Sequence, residues 1–167
     1  FGKTKDITSR ILFSNKTLPP LKELLAMRGD SATGKTVYFN EERSQCYQCH
    51  MVQGQGRNVG PDLSKIGEKL GREGLLEAIL NPGAAISHEY KVWVVETEGG
   101  DYLTGYLRAE SDEDIEMMDS TGNDVTIRLD DIVVRYESPV SLMPDGLTSG
   151  MSAEELVNLI EFLLTLK

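Results

Sequence analysis

Cys46-Tyr47-Gln48-Cys49-His50 is the stretch on which the reading of this chain turns. It holds both cysteines of the 167 residues, so a disulfide scaffold is excluded. Three chemistries use such a pair. A thioredoxin-like redox centre needs a strand before the motif and a helix after it, but Ala32 to Asn40 reads as helix and no βαβ unit surrounds the motif. A structural zinc site needs four Cys or His ligands, and the only other histidine is His88. The third chemistry is covalent attachment of haem c, for which CxxCH is the signature. Two thiols add to the haem vinyl groups, and His50 then falls beneath the iron as proximal ligand.

The haem reading asks for a second axial ligand, usually a methionine where electrons are transferred. Met27 precedes the motif in a helical pattern, and Met51 is too close to His50 to reach the opposite haem face. Met117 and Met118 stand in an alternating, charged stretch that reads as strand, and Met151 opens the last helix. Met143 stands in Ser141-Leu142-Met143-Pro144-Asp145-Gly146-Leu147, where proline and glycine enforce an irregular loop able to present a thioether. Met143 is therefore the expected ligand, with His88 as the alternative that would give a bis-His site.

These residues together resemble a class I cytochrome c domain. Gly34, Tyr38 and Phe39 are similar to its first helix, and Cys46, Cys49 and His50 to its haem-attachment motif. Gly60-Pro61-Asp62-Leu63 resembles the loop whose proline carbonyl receives the proximal histidine's other N–H, Met143-Pro144 the distal methionine loop, and Ser152 to Lys167 the closing helix. The run from Gly60 through Asn81-Pro82 to Met143-Pro144 is similar, more narrowly, to the planctomycete and verrucomicrobial haem-binding domains. In that family a β-rich segment interrupts the cytochrome, and the domain often ends a larger dehydrogenase-like protein. The resemblance implies a mainly α class I fold interrupted by a small antiparallel β-sheet or barrel. It also implies one covalent haem c held by Cys46, Cys49, His50, Pro61 and Met143, with the iron bound by His50 and Met143.

Spacing fits an insertion. His50 and Met143 lie 93 residues apart; without the 49 residues 89–137 the separation is 44 and the chain 118 residues, suited to an ordinary small cytochrome. The expected organisation is an N-terminal extension with a short helix at 1–29, a cytochrome domain at 30–88 and 138–167, and an inserted β module at 89–137. Charge divides in parallel. The net charge of −10 splits into +3 for residues 1–83, −10 for 84–140 and −3 for 141–167. So acidic a chain argues against nucleic acid or an anionic membrane as main partner, and no apolar run approaches the ~18 residues of a membrane span.

Periodicity supplies the elements. Leu21 to Arg28, Ser31 to Phe39, Leu63 to Leu70 and Arg72 to Leu80 read as helices, with Gln53 to Val59 as a flexible loop over the haem rim. From Tyr90 the period falls to about two. Five strands follow: Val92 to Glu96, Tyr102 to Leu107, Asp114 to Met118, Val125 to Leu129 and Ile132 to Tyr136, with turns at Glu98-Gly99-Gly100-Asp101 and Thr121-Gly122-Asn123-Asp124. Leu75, Leu76, Ile79 and Leu80 are expected to wall the haem pocket. Arg57 is either a propionate partner or an exposed loop arginine, and the acids of Ser111 to Asp119 form a solvated turn rather than a calcium loop.

The expected function is single-electron transfer by a haem protein without substrate chemistry, between redox protein partners: a fused or separate dehydrogenase as donor, and an acceptor. Two other readings stand beside it: a catalytic haem, peroxidase-like or gas-binding, and an interaction or sensor module in which the acidic β segment docks a partner. Covalent haem attachment requires export, so a bacterial periplasm or equivalent compartment is expected. A chain opening on Phe1 without a basic-then-apolar leader suits a processed or excised chain.

Overall fold

A computed structural model describes residues 18–42 and 44–167; the N-terminal extension expected at 1–29 therefore lies outside the described residues up to position 17. Two helices anchor the first layer. Helix α2 (Ser31–Tyr38) is capped by Asp30, whose carboxylate accepts from the Thr33 backbone N–H at 2.7 Å. This places the cap one residue before Ser31. Helix α5 (Ala153–Thr165) begins with a complete capping box, Ser152 and Glu155 each accepting from the other's backbone N–H. Its apolar residues at three- and four-residue spacing bury Leu156, Leu159, Ile160 and Leu163.

The two helices cross at a glycine. A Cβ on Gly34 would lie 1.8 Å from the Asn158 carbonyl oxygen, so only a bare backbone permits this approach. The Asn158 side chain carries the contact further by accepting from the Asp30 N–H at 2.7 Å. Tyr38 and Phe162 pack with ring centroids 5.6 Å apart. Helix α1 (Leu21–Ala26) and helix α4 (Arg72–Leu80) add Leu24, Leu75 and Leu76 to this core, and Arg72 pairs with Glu161 of α5.

Two expected helices are shorter than their periodicity suggests. Helix α1 stops at Ala26 because Met27 turns extended, well before Gly29. Of Leu63 to Leu70 only α3 (Ile66–Lys69) is helical. Before it, Asp62 accepts from the Ser64 N–H at 2.7 Å, a local turn that competes with helix.

The change of period at Tyr90 marks the start of an antiparallel sheet of β3 (Val92–Thr97), β4 (Tyr102–Glu110), β5 (Asp114–Asp119), β6 (Asp124–Arg128) and β7 (Ile132–Ser138). Its order is β6-β5-β4-β3-β7. With β6 and β7 at opposite edges the sheet is open, which decides between the expected sheet and barrel. One face carries its own core of Val95, Ile115, Met117 and Ile127, flanked by Trp93, over whose ring the Arg135 guanidinium sits 4.8 Å from the centroid. Gly100 and Gly122, with φ of 83° and 82°, make the two tight turns.

The Gly34 crossing yields a prediction. Gly34→Val should lower the unfolding free energy in denaturant by more than about 3 kcal/mol, since neither backbone can give way. A loss below about 1 kcal/mol would show that the helices do not cross here.

Candidate haem site

The cysteine motif occupies a single 3-10 turn, Cys46–Gln48, entered through Gln45 at φ 53°. The Cys46 carbonyl accepts from the N–H of Cys49 at 3.2 Å and from that of His50 at 2.9 Å, so both thiols and the imidazole leave one tight turn. The turn is fastened from below. The Tyr38 hydroxyl of α2 donates to the His50 carbonyl at 3.0 Å, and buried Ser44 donates to the carbonyls of Val37 and Tyr38. Burial around the Tyr38 phenol pushes its pKa up, keeping it a neutral donor.

Residues 51–60 then fold back over the turn. Here the expected flexible loop is in part a hairpin of β1 (Met51–Val52) and β2 (Gln55–Gly56). Gln53 and Gly54 turn it with φ of 50° and 79°, the left-handed pair that a two-residue hairpin requires. The strands are too short for alternation to reveal. The returning chain is bonded to the motif: the Cys49 carbonyl accepts from the N–H groups of Val59 and Gly60 at 3.0 and 2.8 Å, and the Tyr47 carbonyl from that of Arg57 at 3.0 Å.

His50 is held from the side. Its Nδ1–H donates to the Pro61 carbonyl at 2.8 Å. A Cβ on Gly60 would stand 2.6 Å from the ring's Cε1, so the absence of a side chain there makes room for the imidazole. Shielding from water lowers the His50 pKa, while the bond to Pro61 opposes that shift. Nε2 remains as the lone pair available to a metal. Burial likewise pushes the Cys46 thiol up, and the two cysteines are not bridged. Two free thiols and one oriented, neutral imidazole on a single turn are a donor set that fits haem c.

Met143 is half-buried in the loop before α5, its N–H bonded to Ser141 Oγ at 3.1 Å. Its neighbour Leu142 packs on a cluster of Val59, Val92, Tyr106 and Met118 that Cys49 also touches. The methionine loop and the cysteine turn thus meet at one apolar cluster. Met151 and Met117 are core residues of the helical layer and of the sheet, and His88 is exposed on a 3-10 turn, His88–Tyr90. Leu75 and Leu76 are buried, with Ile79 and Leu80 against the same core. Arg57 donates to the Thr121 carbonyl in the turn between β5 and β6 at 2.8 Å, tying the motif's return loop to the sheet. Sequence reasoning missed that tether and the residues Tyr106 and Met118. Of the acidic stretch Ser111 to Asp119, residues Asp114–Asp119 form strand β5.

The sequence model of the family described as cytochrome c matches residues 31–118, more than half of the chain. The chain belongs to the cytochrome c family. The matched segment begins at the first residue of α2, contains the cysteine turn and Pro61, and ends at Met118 in β5. Comparison with curated proteins gives no match. Membership supports haem-based electron transfer, with haem c attached through cysteine, for which Cys46 and Cys49 have the required spacing. Among the described residues the cytochrome combines five α-helices with an antiparallel sheet. None of its helices among the described residues is long and apolar enough to cross a membrane.

Gly60→Ala tests the fit of the histidine. The added methyl should force the imidazole aside, costing about 1–3 kcal/mol of stability and weakening the low-spin haem spectrum. A spectrum and stability equal to those of the parent would mean that His50 is not held against this loop.

Proposed function

We propose that this chain is a monohaem class I cytochrome c, interrupted by its β-sheet at 89–137, that passes single electrons with His50 and Met143 as axial ligands. The observation that carries the reading is the 2.8 Å bond from His50 Nδ1 to the Pro61 carbonyl. It fixes tautomer and ring plane, so Nε2 is the free donor on the turn that bears both thiols. When bound, the haem iron supplies the one-electron Fe(II)/Fe(III) couple.

The chain's residues divide the remaining work. Cys46 and Cys49 tether the porphyrin, so that the group cannot dissociate between electron transfers. Pro61 makes His50 more basic by accepting the hydrogen bond from its Nδ1–H. The Met143 thioether is a soft ligand that favours Fe(II) and raises the potential relative to a bis-His site. Leu142, on the cluster that Cys49 touches, supports a position of that thioether over the distal haem face. An electron donor of dehydrogenase type, fused or separate, and a second redox protein as acceptor complete the proposed path. Export to a periplasm and kinship with the planctomycete-type domains follow from the covalent haem and from the β segment before the methionine loop.

Met143→Ala should remove the thioether-to-iron charge-transfer band. It should also lower the midpoint potential by at least roughly a tenth of the ~0.8 V range that axial ligands span. Retention of both band and potential would assign the sixth position to another residue.

A further inference from the structure

One face of the sheet closes on its own core and the other meets the cysteine turn. Register places Val92 opposite Tyr106 and Tyr106 opposite Met118, so the three form one row across β3, β4 and β5. All three are at most 5% exposed. What covers this row is the haem-attachment region itself: Val59 completes the buried cluster, and Cys49, Tyr90 and Leu142 pack around it. The Tyr90 and Tyr106 rings meet edge to face, 5.3 Å apart at 87°. Two further features hold the sheet in this position. Arg57 bonds to the β5–β6 turn, and the register of β4 against β5 slips between Leu107 and Ala109. That bulge re-aims Arg108, whose guanidinium then caps the Met118 sulfur at 3.0 Å. At the Met118 end the interface opens into a cleft lined by Arg57, Val59, Arg108, Glu116, Met118 and Asp124.

A vinyl carbon bonded to Cys49 must lie within a bond length of that sulfur. The haem edge bearing it would border the same cluster. Arg57 has the tethering role that its hydrogen bond to the Thr121 carbonyl describes.

Resting on the haem reading above, we infer that the inward face of the sheet is a wall over the Cys49-side edge of the haem. Val92, Tyr106 and Met118 raise the reduction potential by excluding water there, because a dry, low-dielectric surround disfavours the more highly charged ferric state. The β segment is thus part of the redox centre, and removing it would expose the haem.

Two measurements on the full-length holoprotein test this. In the reduced, diamagnetic state, nuclear Overhauser contacts should join the thioether protons at Cys49 to the ring of Tyr106; their absence would overturn the wall. Tyr106→Ser should lower the midpoint potential, Tyr106→Leu should restore most of it, and Met118→Gln should lower it independently from the neighbouring strand. A folded Tyr106→Ser protein with the parent potential would also overturn the inference. A wild-type chain carrying no haem overturns it together with the reading beneath it, whereas bound haem with an unmoved potential overturns this inference alone.

Discussion

The hydrogen bond between His50 Nδ1 and the Pro61 carbonyl is the constraint on which the site depends. An imidazole on a short turn can rotate about two torsions, and a metal ligand has to stop at one setting. Everything nearby serves that stop. The Cys49 carbonyl draws Val59 and Gly60 back over the turn, Gly60 leaves the ring its space, and Tyr38 pins the His50 backbone from beneath. Tyr38 is itself fixed by α2, whose place is set by the glycine crossing with α5. A chain of direct contacts therefore runs from the helix crossing to the proposed iron ligand.

The sheet extends this chain of support from the other side. Its acidic residues gave the chain its net charge and suggested a module of separate character. The packing instead gives it two unlike faces: one closes on a core of its own, and the other ends on the cluster shared by Cys49, Val59 and Leu142. Electrostatics governs the outside of this segment, and burial governs the side that meets the cysteine turn. An acidic exterior and two apolar faces are compatible because many of the acids, Glu98, Asp101, Asp112, Glu113, Asp130 and Asp131 among them, lie in the connections between strands.

Much of this was legible in the sequence, for identifiable reasons. CxxCH marks its own turn because thiol spacing and the adjacent histidine are chemically specific, and Ser152 with Glu155 announced α5 through a local reciprocal bond. The five strands showed because alternation persists over five to nine residues in each. The hairpin at Met51–Gly56 did not show, since two-residue strands carry no period and the left-handed Gln53 is not a residue that advertises a turn. The single turn of α3 was over-read because apolar spacing continues through Leu63, where the Asp62 side chain has already taken up the backbone N–H of Ser64. Alternation also sorted the sheet residues into two faces without saying which face meets the cytochrome. That assignment depends on contacts between residues far apart in the chain, such as Arg57 with Thr121.

The central claim is that Cys46, Cys49 and His50 form a covalent haem site. Intact mass spectrometry of the mature protein, taken together with its pyridine haemochrome spectrum, tests it most directly. The account predicts the polypeptide mass plus one haem, with the spectrum of a porphyrin joined through two thioethers. A polypeptide mass without haem, from cells competent in cytochrome c maturation, would contradict it.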